Sequence, residues 1–152
     1  MASLPMVASG GANSIKDAIR DKALNGGFTE ITTLTPFQSR VTLNEGKIVA
    51  DTVNHIVYVY VDVTTNTSLG SGSDWAALFA LDSTMANYLP VFIANNRQNA
   101  VPLTTDETSA ASTKAFFCGY VSTSSAYRLG MGYGQTVNSG ERYILYTAYT
   151  YK

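Results

Sequence analysis

The chain has 152 residues, of which 45% are apolar and only 14% charged, and its net charge is −1; this length and balance suit one globular domain with its own core. Lys and Arg are scattered rather than clustered, so nucleic acid is not an expected partner, and no apolar run approaches the roughly 20 residues that cross a bilayer as a helix. With one histidine, His55, and one cysteine, Cys118, an internal disulfide and a multi-histidine metal site within one chain are excluded, and neither metal nor cofactor is expected.

Residues 1–11 lack a cationic start and their apolar stretch is broken by Pro5, so no secretory signal is expected. A short helix follows. Ser14 offers a cap with Asp17 three residues later, Ile15, Ala18, Ile19 and Ala23 share one face, and Gly26-Gly27 closes the element. Too short to persist alone, this helix needs a partner for its apolar stripe, either the β domain or a neighbouring copy. Residues 1–27 are therefore read as an arm and helix for docking or trimerisation, and 28–152 as the folded domain.

From Phe28 onward the pattern is that of strands. Residues 41–43 and 47–53 flank Asn44-Glu45-Gly46, which predicts a hairpin turn. Residues 54–64 form the longest expected strand, with valines at 57, 59, 61 and 63 on one side and Ile56, Tyr58 and Tyr60 on the other. Both faces are apolar, so one should meet the core and the other a covering layer. Further strands are expected over 75–81, 89–94, 114–121, 127–133 and 142–152, with polar loops at 64–74, 95–99 and 102–112 and a tight turn at Asn138-Ser139-Gly140. The sum is an all-β, antiparallel β-sandwich, jelly-roll-like, with one short N-terminal helix.

Few residues carry chemistry. Gly130-Met131-Gly132-Tyr133-Gly134 is followed by another strand rather than a helix, so its glycines permit close packing instead of cradling a phosphate. The adjacent acids Asp106 and Glu107 point to opposite faces of a strand and do not make the facing pair a glycosidase requires. No catalytic set is expected. Candidate ligand-binding residues are Asp74 and Trp75 as a sugar platform, Asn95, Asn96, Arg97 and Asn99 as a polar recognition loop, and Tyr127 with Arg128; for each, an ordinary core or solvated role stands beside the binding one. Tyr58, Tyr60, Tyr143, Tyr146, Tyr149 and Tyr151 lie on strands, and tyrosine at such density points to burial between subunits, with a purely internal role as the alternative.

Three segments occur in order: Ile56-Val57-Tyr58-Val59-Tyr60-Val61-Asp62-Val63, then Tyr88-Leu89-Pro90-Val91-Phe92-Ile93-Ala94, then the closing run from Ser139 through Arg142-Tyr143-Ile144-Leu145-Tyr146 to Tyr151. Their order resembles the C-terminal head domains of bacteriophage tail fibre, baseplate and head fibre proteins. The resemblance covers residues 41–152. It implies a non-enzymatic virion protein, a homotrimer joined to other virion proteins through its N-terminal arm, and adhesion to a host-surface glycan or protein. Fibre proteins carry a long shaft before the head, whereas about 27 residues precede the strands here. A capsid-decorating head fibre protein without a receptor role is therefore an alternative, and a glycan-degrading enzyme domain is another.

Overall fold

The computed structural model describes residues 15–17, 19, 28–70, 76–90, 98–107, 114–121, 124–132 and 134–151, with only the backbone described at 98, 99, 106 and 107. Among the described residues eleven strands run in chain order: β1 (Thr29–Thr32), β2 (Thr35–Pro36), β3 (Val41–Asp51), β4 (Ile56–Thr65), β5 (Leu69–Gly70), β6 (Ala76–Ala80), β7 (Gln98–Glu107), β8 (Phe116–Val121), β9 (Ala126–Met131), β10 (Thr136–Val137) and β11 (Arg142–Thr150). Nine of them form one antiparallel sheet in the order β1-β3-β4-β11-β7-β8-β9-β6-β2, and β5 pairs with β10 separately. The sheet is curled, and its all-β, sandwich-like character agrees with the expected fold class.

Two connections make the curl. Strands β1 and β2 stand at opposite ends of the strand order yet are separated only by Thr33 and Leu34. Strand β7 pairs through Gln98–Leu103 with β8, but through Thr104–Glu107 with β11. Pro102 lies just before this change of partner, where no residue of β11 is paired with it, so its missing N–H breaks no ladder. The polar stretch expected over 102–112 is thus, as far as Glu107, the strand that joins the two layers.

The core lies between the layers. Val57, Val59, Val61 and Val63 of β4, Ile48 of β3 and Leu145 of β11 pack with Phe116 and Cys118 of β8, Leu129 and Met131 of β9, and Leu78 and Phe79 of β6. Each such side chain, fully buried, contributes on the order of 2 kcal/mol of transfer free energy. The covering layer expected over the other face of β4 belongs to this same chain. Residues 15–17 and 19 are helical, and Ile15 and Ile19 are 1% and 8% exposed, packed with Val49, Tyr58 and Tyr60. Lys16 fastens the helix, its Nζ 2.5 Å from Glu45 and 5.6 Å from the Tyr60 ring centre. Ser14, Ala18, Ala23, Gly26 and Gly27 lie outside the described residues.

The expected turn at Asn44-Glu45-Gly46 is not one. β3 runs unbroken from Val41 to Asp51 along β4, with a register shift between Leu43 and Glu45. Gly46 is required by close approach rather than by a turn, since a Cβ there would lie 2.6 Å from the Tyr60 carbonyl oxygen. The real hairpin turn is Thr52–His55. Asp51, 1% exposed, closes it by accepting from the backbone N–H groups of Val53 and Asn54 at 3.1 and 3.0 Å and from Asn54 Nδ2 at 2.8 Å. The free edge of β1 is also closed: Thr84 Oγ1 donates to the Ile31 carbonyl at 2.6 Å and the Thr33 N–H donates to Asp82 Oδ2 at 2.8 Å.

Candidate binding surfaces on the sandwich

The six tyrosines expected at a subunit interface do not form one surface. Tyr58 and Tyr60 are 1% and 5% exposed beneath the chain's own helix, and Tyr143 is 1% exposed in the central core. These three are corrected: one chain buries them, because the helix covers the outer face of β4 and the inner face of β11 points into the sandwich. Phe28 stacks on Tyr58 with ring centres 5.1 Å apart and completes that cover. Tyr149 packs against the core from the inner face, its hydroxyl is buried without a hydrogen-bond partner, and burial pushes its pKa up. Tyr146, beside the helix on the outer face, and Tyr151, at the end of β11, are half-buried and keep some surface.

Among the candidate ligand residues, Asp74, Trp75, Asn95, Asn96 and Arg97 lie outside the described residues. Asn99 is not in a loop, because its backbone is already in β7, paired with Tyr120. Tyr120 pairs in turn with Tyr127, and their rings are 5.2 Å apart, both packed against the core. Tyr127 is therefore mainly a core residue. Arg128, next along β9, points the other way and lies on Phe37, as described below. β7 and β9 begin, and β11 ends, at one end of the sandwich, whereas β6 begins at the other.

The end where β11 stops carries a partly exposed aromatic cluster that residue patterns alone did not single out. His55 closes the β3–β4 turn in the left-handed region, at φ 55°. There it stacks on Tyr151, ring centres 5.2 Å apart and 22° between planes, while Tyr88 meets Tyr151 edge-on at 5.0 Å. The Tyr151 N–H donates to the His55 carbonyl at 3.1 Å, which fixes the two rings together. Val53, in the same turn, is 83% exposed, the one large apolar side chain so exposed among the described residues. Partial burial, with Tyr88 and Asp51 nearby, raises the Tyr151 pKa.

Two polar networks lie elsewhere. On the outer face, Asp62 is 4% exposed and accepts from Arg142 Nε at 2.8 Å, Arg142 Nη2 at 2.5 Å and Asn44 Nδ2 at 3.0 Å. These hydrogen bonds, Arg142's first, hold its carboxyl below the ordinary value. At the far end, Glu141 accepts from the Tyr143 hydroxyl, from the Asn138 N–H at 2.8 Å and from Lys114 Nζ at 3.3 Å, and these hold its carboxyl down at about 2. They lock the Asn138-Ser139-Gly140 turn, in which Gly140 takes φ 84°. Burial pushes the Cys118 thiol up to about 12. No group of three or more His, Cys, Asp or Glu among the described residues is placed to hold a metal, and no described helix is long and apolar enough to cross a membrane.

No protein-family model, curated protein or solved structure matches the chain.

Proposed function

We propose that the chain is a structural or adhesion protein of a bacteriophage particle. Its β-sandwich head, acting as a homotrimer, would then bind a glycan or protein of the host surface. The observation that carries this is the His55–Tyr151–Tyr88 cluster, with His55 exposed and the two tyrosines half-buried, and Val53 in the same turn as His55. Rings held rigidly at the end of a sandwich supply contact area at low entropy cost and stack on sugar C–H groups or apolar side chains. Glycine at position 55 would adopt the left-handed conformation more cheaply; histidine there lays its ring on Tyr151. The three segments that resemble phage head domains, and the sandwich-like fold, support the same reading. For the trimer, Tyr146, Tyr149 and Tyr151 are the interface candidates that keep part of their surface.

Light scattering on the purified protein tests assembly, and the expected mass is three times the 16.3 kDa chain. Binding of labelled protein to host cells tests adhesion. His55→Ala with Tyr151→Ala should lower it at least about tenfold while the fold persists, because each stacked ring contributes on the order of 1 kcal/mol. A monomer that binds no cell, with or without the two rings, would refute both parts.

A further inference from the structure

Six Lys and Arg side chains are described, and four of them face a carboxylate: Lys16 with Glu45, Lys47 with Glu30, Lys114 with Glu141, and Arg142 with Asp62. The other two, Arg40 and Arg128, have no acid partner among the described residues, and they share one ring. Their guanidinium carbons lie 5.0 and 4.9 Å from the centre of Phe37, so the two cations are within about 10 Å of each other. Both are half-buried. Two cations on one ring, both partly out of water, are each stabilised by a negative group beside them.

The cross-strand neighbours of Arg128 are small: it pairs with Ala80 on one side and Gly119 on the other. Arg40 is brought over Phe37 by Gln38 and Ser39, consecutive non-glycine residues at φ 52° and 56°, a strained way to leave a strand. Arg40 spends N–H groups on the Ala77 carbonyl at 3.2 Å and on Gln38 Oε1 at 2.8 Å, and Arg128 spends one on the Tyr127 carbonyl at 3.1 Å. Most donors of both forks stay available, and stacking on Phe37 orients their planes before any ligand arrives.

We propose that Arg40 and Arg128, held on Phe37, form a binding site for an oxyanion, the phosphate ester or carboxylate of a sugar- or polyol-like ligand. The site lies on the face of β6 and β9 and depends on neither a virion location nor a trimer.

The test is a titration of 15N-labelled protein at low ionic strength, following the Arg Nε–H resonances, with sn-glycerol 3-phosphate and D-glucuronate as probes and glycerol and D-glucose as neutral controls. The expected result is saturable shifts of the Arg40 and Arg128 signals by one or both anions and none by the neutral pair; the stronger anion tells phosphate ester from carboxylate. Arg128→Gln and, independently, Arg40→Gln should each weaken binding at least about tenfold, as loss of a charge-assisted fork requires. Lys47→Gln, which removes an exposed cation elsewhere, should change nothing. No saturable shift with either anion, or affinity unchanged in both arginine variants, overturns the site.

Discussion

Arg142→Gln isolates a single buried charge. Asp62 is 4% exposed, and Arg142 supplies two of the three hydrogen bonds given above to its carboxylate; the substitution leaves Asn44 Nδ2 at 3.0 Å. Hydrogen bonds to a charged group are worth about 1.5–3 kcal/mol, and orphaning a fully buried ion costs about 3–5 kcal/mol. The Arg142 side chain is 50% exposed, which screens its half of the pair. The lower range applies, so about 2–3 kcal/mol is expected, or about 4–12 °C in Tm for a chain of this size. The sign follows from the direction of the shift. The folded-state pKa of Asp62 lies below the ordinary 3.8, so the stabilisation is present above that value and is lost as pH falls through the depressed one. Paired thermal melts of wild type and Arg142→Gln should therefore differ at pH 7 and converge in acid. Asp62→Asn in the Arg142→Gln background should cost little more or restore some stability, since it removes the carboxylate that the first substitution left without its cation. Equal melting temperatures at pH 7, or a difference that persists undiminished once Asp62 is protonated, would refute the reasoning.

Three further outcomes are expected. Ile15→Ala should cost about 1–3 kcal/mol and speed hydrogen exchange on the outer face of β4, because the isoleucine is 1% exposed against Tyr58 and Tyr60; exchange mass spectrometry reads both. Gly130→Ala should destabilise by about 1–3 kcal/mol, since its Cβ meets backbone rather than a flexible side chain, whereas Gly70→Ala, with open space around it, should stay within about 0.5 kcal/mol in urea titrations. Glu141→Gln should lower Tm at neutral pH, with the deficit shrinking as pH falls below the ordinary 4.5 toward the folded value of about 2, which a pH series of melts will follow.

The strand content was readable because it rests on local pattern. Alternating valines over 57–63, with Ile56, Tyr58 and Tyr60 between them, can bury both faces only as a strand between two layers, and β4 is that strand. Where one residue type serves two purposes, pattern misled. Asn44-Glu45-Gly46 has the composition of a turn, but Gly46 answers to the backbone of Tyr60 on the neighbouring strand, and nothing within a few residues distinguishes the two cases. The polar composition of 102–112 hid a strand that runs as far as Glu107, and Pro102 is tolerated in it because β7 changes partners beside it. For the candidate sites the contrast is sharper. Arg128 was a candidate in the sequence, but its partners Phe37 and Arg40 come from a distant turn that carried no signal.

Composition and periodicity settled that the chain folds as an all-β domain and that its strands are apolar on two sides, because side-chain alternation along a strand is a local property of the backbone. They left open what covers the second face. Three-dimensional packing assigned Tyr58 and Tyr60 to the chain's own helix and Tyr143 to the core, and it gathered His55, Tyr88 and Tyr151 at one end and Phe37, Arg40 and Arg128 on one sheet face. Such groupings depend on strand order and on where the sheet curls. Those are set by the total burial of the whole chain rather than by any segment, so no single stretch of residues records them.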